Sequence, residues 1–276
     1  VIAFLDFRLA DTGGPVTAGQ LTTRDGTLAG SDVLDQLFLA SHVTLAIHGF
    51  NVTRPSGRQS LGDFAAALEG AQARGPVVCV LWPGDASLGP LSFLSYPLEG
   101  NDADDTAAAL ADWVNRHLRD DTTIAVVSHS LGARVALGAL ARVDRRRFGL
   151  REVCVMAAAV DDASVSDPGL YRPVADRVTS VSVLASRRDR VLQWAYPAGD
   201  LVQALLFFWK DAPGGALGRH GPRPFRQWPV PDDIATTIIP DDRNAGHGDY
   251  LFSPVPNDNQ RRAAAFADHV LGGRDG

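Results

Sequence analysis

The chain has 276 residues, 45% hydrophobic and 21% charged, with 27 glycines and 17 prolines. That profile is globular and excludes disorder, collagen and a coiled coil. Acidic residues outnumber basic ones by 32 to 26, a net charge of -6, and Arg145-Arg146-Arg147 is an isolated basic block, so no nucleic-acid partner is expected.

The chain opens on a strand-like stretch, Val1 to Leu9, with no basic-then-apolar leader; this fits a cytoplasmic protein, or one whose signal has been trimmed. Ser31 is placed to cap a helix from Asp32 to about Ala40, and Val43 to Ile47 reads as a buried strand. Leu61 to Ala73 repeats apolar residues at helical spacing and stops at Gly75-Pro76, before a strand from Val77 to Trp82. Asn101 to Leu118 reads as a helix with Asp102, Asp104 and Asp105 in its first turn, where the helix dipole favours acid. These acids lack the glycine and terminal glutamate of a calcium loop. Thr123 to Ser128 is a strand, Leu131 to Val143 a helix and Val153 to Met156 a strand. Val178 to Ala185 and Ala235 to Ile239 are further strands, and Asn259 to Leu271 is a closing helix. The alternation predicts an α/β fold, a mostly parallel sheet with helices on both faces, in a single domain over 1–276. No uncharged apolar run reaches the ~20 residues of a membrane span; Leu201 to Trp209 is the longest candidate.

Ala125-Val126-Val127-Ser128-His129-Ser130-Leu131-Gly132 sets a serine between an apolar strand and a helix, with small residues two positions to either side. The segment resembles the nucleophile elbow of the α/β-hydrolase superfamily, with Ser128 where glycine is commonest. The resemblance implies that Ser130 is a nucleophile, and a serine needs a histidine base steadied by a carboxylate. Ser186-Arg187-Arg188-Asp189-Arg190-Val191 and Gly246-His247-Gly248-Asp249 resemble the family's acid and histidine loops, in the chain order Ser130, Asp189, His247. Asp161, one strand earlier, is a rival acid. His42, His117, His220 and His269 read as surface or satisfied core residues.

Leu45-Ala46-Ile47-His48-Gly49-Phe50-Asn51 resembles the family's oxyanion-hole loop. It implies that the amides of Phe50 and Leu131 receive the oxyanion, that His48 braces the loop, and that Asn51 touches substrate or orients the loop. The resemblance to the superfamily runs from Val43 to Leu271, and within it Ile47 to Val52 together with Leu81-Trp82-Pro83-Gly84-Asp85 is most similar to a bacterial branch of hydrolases of unknown function.

The stretch between Asp189 and His247 is long for one crossover and implies an insertion around 192–233. It holds Trp194, Tyr196, Phe207, Phe208, Trp209, Phe225 and Trp228 and reads as a cap over an apolar pocket, or as an auxiliary helix on the sheet. Leu88 to Leu98, with Phe93 and Tyr96, supplies a second wall. The expected pocket contacts are Asn51, Trp82, Phe93, Tyr96, Trp194 and Trp209. The resemblance implies a serine hydrolase acting through an acyl-enzyme, with no metal or cofactor, and the aromatic cap points to small or medium apolar carboxylic esters as its substrates. A thioesterase, lactonase or acyltransferase would use the same triad, and a silent binding module could keep the scaffold. No oligomeric state is implied.

Cys79 and Cys154 each lie in an apolar run and are expected to be free, buried thiols. In the family's strand order two strands separate theirs, roughly 14 Å at ~4.8 Å per step, against the ~7 Å limit for a disulfide.

Overall fold

Val77–Leu81 is an apolar run, and His42–Ile47 is mostly aliphatic apart from His42 and Thr44, a composition suited to strands covered on both faces. Both are buried along their whole length, in the middle of an eight-stranded sheet. The strands of this computed structural model are β1 (Ile2–Asp6), β2 (Gln20–Thr22), β3 (His42–Ile47), β4 (Val77–Leu81), β5 (Thr123–His129), β6 (Gly149–Met156), β7 (Ser180–Ala185) and β8 (Ile234–Ile238). The structure describes residues 1–84, 96–166, 169–193, 215–224 and 229–272, with only the backbone given for 96–101. The sheet order is β2-β1-β4-β3-β5-β6-β7-β8, parallel throughout except for the edge pair of β1 with β2.

That order positions the site. From β3 the chain moves outward to β4, then returns past β3 to β5 and continues outward on the other side. The loops leaving β3 and β5 therefore face each other at the carboxyl ends of two neighbouring strands, where open parallel sheets bind their ligands. The register sets Ile47 beside Ser128, so the loop that starts at His48 and the turn at Ser130 meet.

Helices cover both faces. Helices α1 (Ser31–Phe38), α4 (Tyr96–His117) and α5 (Gly132–Arg142) pack as a group, with Phe38 against Trp113 and His117. Helix α2 (Arg54–Ala66) packs on β4 and β1, and α3 (Glu69–Arg74) packs with the C-terminal helix Asp258–Leu271, where Asp268 accepts the Ala71 amide at 3.1 Å. The C-terminal helix is fixed by a reciprocal capping box between Asn257 and Gln260.

Several sequence expectations need correction. The helix read over Leu61 to Ala73 is two helices, because apolar spacing runs on through the break at Ala67-Leu68. Its true start is marked by Thr53, whose side chain accepts the Ser56 amide, and by a proline in the first turn. Ser31 is the first residue of α1 rather than its cap; Gly30 holds that position without a side-chain bond. Helix α4 begins five residues before Asn101, so Asp102, Asp104 and Asp105 lie beyond its first turn. Asp104 instead grips Arg134 of α5 through two bonds of 2.9 and 2.7 Å. Strand β1 ends at Asp6, whose buried carboxylate takes Arg54 at 2.6 Å and Arg58 at 2.8 Å and turns the chain off the sheet. The antiparallel edge strand β2 and the short helices α6 (Arg172–Ala175) and Leu217–His220 had no sequence signal strong enough to be read.

Cys79 and Cys154 are free and buried on β4 and β6, with β3 and β5 between them, as expected. Burial pushes the Cys154 thiol up to about 12 and the Cys79 thiol higher still. No described helix is long and apolar enough to cross a membrane.

Candidate active site

Strand β5 runs to His129, and the chain then turns sharply at Ser130, whose φ of 55° is a left-handed conformation unusual for a non-glycine residue. Hydrogen bonds over-determine the turn. The Ser130 amide donates to the Met156 carbonyl at 3.0 Å, and the Ser130 carbonyl accepts from Ala133 at 3.0 Å and Ala159 at 3.1 Å. Two glycines make room for it. A Cβ on Gly49 would lie 2.8 Å from the Ser130 Cβ, and one on Gly132 would lie 2.3 Å from the His48 carbonyl oxygen. Side chains at either position would push the β3 loop away from the elbow.

Ser130, His247 and Asp189 come together. His247 Nε2 lies 2.8 Å from Ser130 Oγ, and His247 Nδ1 lies 2.7 Å from Asp189 Oδ2. Because Asp189 accepts, Nδ1 carries the proton, and Nε2 faces the serine hydroxyl as an acceptor. Asp189 is fully buried, and its other oxygen accepts the Leu192 amide at 3.0 Å, capping the helical turn at 190–193. The carboxylate is thus fixed from two sides. Asp161 closes its own turn by accepting the Ala163 amide at 2.7 Å, and Asp189 occupies the place beside His247.

Phe50 and Leu131 flank the serine from the two facing loops. Among the described residues, neither amide has a hydrogen-bond acceptor. Leu131 stands at the N-cap of α5, where unpaired amides and the helix dipole favour negative charge. The β3 loop is braced from below. His48 is fully buried, donates from Nδ1 to the Gly49 carbonyl at 2.7 Å and accepts the Trp82 amide at Nε2 at 3.2 Å. Burial drives its pKa down to about 3, so it stays neutral in this bracing place. Trp82, expected to line the pocket, is instead wholly enclosed: its indole N–H donates to the His48 carbonyl at 2.9 Å and its ring stacks on the imidazole. Asn51 is exposed beside Phe50, with φ 58° and its amide bonded to the Gly84 carbonyl at 2.5 Å.

Phe93, Trp194 and Trp209 lie outside the described residues, and of Tyr96 only the backbone at the start of α4 is described. Of the insertion, 215–224 is built into the end of the sheet. Gly218 sits so tightly on Ala157 and Ala158 that a Cβ would come within 2.0 Å of the Ala158 nitrogen, and the Ser186 amide donates to the Gly218 carbonyl at 3.1 Å. Asp162 holds this return: it accepts the Gly215 amide at 3.1 Å and pairs with Arg223. Desolvation raises the Asp162 carboxyl to about 6 against the opposing pull of Arg223.

The sequence reading missed two residues that set this geometry. Buried Arg8 donates to the carbonyls of Val52 and Trp82, both at 2.8 Å, and so ties the loops after β3 and β4 together. His129 donates from Nε2 to the His247 carbonyl at 2.9 Å. An imidazole in the last position of a mostly apolar strand, next to a serine, was the available signal. A separate cleft lined by Gln36, Ser41, Gln72 and Arg74 lies at the opposite end of the strands and shares no residue with this cluster.

No curated protein matches the chain in sequence. Among solved structures the chain is similar to esterase PE8, with 14% identity, a TM-score of 0.43, and coverage of 84% of this chain and 93% of that one. It is also similar to carboxyl esterase 2 from the mycorrhizal fungus Tuber melanosporum, at 13% identity and TM-score 0.41, covering 86% and 79% of the two chains. The catalytic core domain of acetyl xylan esterase from Trichoderma reesei follows at 13% and 0.40, covering 84% and 96%. Likenesses this remote carry nothing about substrate. A family model described as alpha/beta hydrolase of unknown function (DUF900) matches residues 32–200, which include the Phe50 loop, Ser130 and Asp189 and stop short of His247. Matching more than half its length, the chain belongs to this family of α/β hydrolases.

Proposed function

We propose that the protein is a serine hydrolase that cleaves carboxylic esters through an acyl-enzyme, working as one domain over 1–276. The observation that carries this reading is the unbroken chain of hydrogen bonds from Ser130 Oγ through His247 to Asp189, 2.8 and 2.7 Å long.

In this reading Ser130 Oγ attacks the ester carbonyl carbon as its proton passes to His247 Nε2. Asp189 holds the imidazole in the Nδ1–H tautomer and stabilises the imidazolium that forms. The amides of Leu131 and Phe50 receive the oxyanion, with backbone geometry set before the reaction, so no reorganisation is needed as charge develops. Collapse of the tetrahedral intermediate expels the alcohol, protonated by His247. Water then attacks the acyl-serine by the same route and releases the acid. The preference for small or medium apolar acyl groups rests on the aromatic composition of the insertion at 192–233.

The test is treatment with a fluorophosphonate followed by peptide mass analysis, paired with hydrolysis of p-nitrophenyl esters. The label is expected on the peptide holding Ser130, and Ser130→Ala should lose both label and turnover while staying folded. Labelling elsewhere, or turnover of the variant within tenfold of wild type, would remove Ser130 from the role.

A further inference from the structure

The base sits on a short turn that closes through Asp249, whose amide donates to the Gly246 carbonyl at 3.1 Å and whose carboxylate accepts the Gly246 amide at 2.7 Å. Gly246 and Gly248 flank His247, Asn244 turns the chain in a left-handed conformation, and a Cβ on Gly248 would meet nothing within 4 Å. Three carbonyls of this loop accept hydrogen bonds from side chains of three different elements. Ser186 Oγ, in the loop that carries Asp189, donates to Ala245 at 2.7 Å, and Gln260 Nε2, in the C-terminal helix, donates to Gly248 at 2.9 Å. His129 Nε2 donates to His247 itself at 2.9 Å. The third tie differs from the others because it starts from the residue that immediately precedes Ser130.

We infer that His129 is a positioning residue, which registers the base against the nucleophile by holding the main-chain carbonyl of His247 from the end of strand β5. The inference rests on the serine-hydrolase reading above and deepens it. A carbonyl can only accept, so Nε2 of His129 carries a proton in this contact. The groups facing it are His247, with ring centroids 4.9 Å apart, Tyr250 at 5.7 Å, and the more distant Asp189 and His48. Burial, reinforced by repulsion from His247, outweighs the bond to the carbonyl and the pull of Asp189 and drives the His129 pKa down to about 3. The donor therefore keeps its form while the neighbouring imidazole gains and loses a proton. An apolar side chain would fill the same space without the desolvation cost of an imidazole, so packing alone does not account for the residue.

Two variants separate positioning from filling. His129→Gln places an amide N–H about where Nε2 lies, and His129→Asn carries the same amide one methylene short of the carbonyl. On p-nitrophenyl esters, His129→Asn should lower kcat on the order of 10²-fold with KM within about threefold, the loss expected when a reacting group is misplaced by ~1 Å. His129→Gln should recover to within about tenfold of wild type, and the rate of fluorophosphonate labelling at Ser130 should follow kcat in both. Hydrogen exchange over 245–250 is read alongside, since it needs no turnover: protection should fall in His129→Asn and hold in His129→Gln. Equal kcat in His129→Asn and wild type, equal loss in the two variants, or unchanged exchange in His129→Asn would each overturn the inference. A wild-type protein that neither turns over esters nor takes the label would overturn the hydrolase reading instead, and the exchange result would still decide whether His129 holds the loop.

Discussion

His48 and His129 are both buried and both held near pKa 3 against an unfolded value of 6.5, chiefly by desolvation. A histidine whose folded pKa is depressed stabilises fully above its unfolded value. That contribution is lost as pH falls, because the unfolded chain takes up a proton the folded one refuses. From pH 7 to pH 5 each of these histidines should remove ~2 kcal/mol, about 4 kcal/mol for the pair, a large share of the 5–15 kcal/mol typical of a domain. Asp162 acts with the opposite sign. Its carboxyl is raised to about 6, so protonation below that value favours the folded state and returns ~1 kcal/mol over the same window. Urea unfolding at pH 7 and pH 5 measures the net change, but other carboxylates contribute to it. The decisive comparison is therefore wild type against His129→Gln, which keeps the donor and removes the titration. The variant should lose about 2 kcal/mol less than wild type between the two pH values, at equal dependence on urea. Equal losses in the two proteins would refute the reasoning and mean that His129 is protonated, or solvated, in the folded state.

Asp189→Asn should cost ester turnover on the order of 10³ to 10⁴-fold, because the amide favours the wrong tautomer of His247, whereas Asp161→Asn should cost little; steady-state kinetics ranks them, and the reverse order would move the acid. Gly132→Ala should abolish turnover and lower thermal stability by more than ~1 kcal/mol, since its Cβ would sit 2.3 Å from the His48 carbonyl oxygen; an active, equally stable variant would mean that the β3 loop does not hold this contact. Cys79 and Cys154 should resist alkylation at pH 8 in the native state and react fast in denaturant, because burial suppresses the thiolate; a native disulfide between them would contradict the strand order.

The parts of this molecule legible in the sequence are those where one residue type satisfies a local demand. The buried central strands announce themselves because a strand covered on both faces is predominantly apolar, and the turn at Ser130 does so because its neighbours at 128 and 132 must be small. Asp189 and His247 are read from the resemblance of their loops and their order in the chain, which leaves Asp161 as a rival acid, because only the contact across 58 positions brings a carboxylate to the imidazole. What escaped the reading depends on contacts between segments far apart in the chain. Trp82 ends an apolar run whether it faces a pocket or the interior, and only the His48 carbonyl, 34 positions away, decides that its indole is enclosed. Arg8 looks like a surface cation until Val52 and Trp82 supply the carbonyls that bury it. His129 was hidden by its neighbour for a related reason. The motif draws attention to the serine's hydroxyl, while the imidazole beside it is defined by a carbonyl 118 positions away that no local pattern announces.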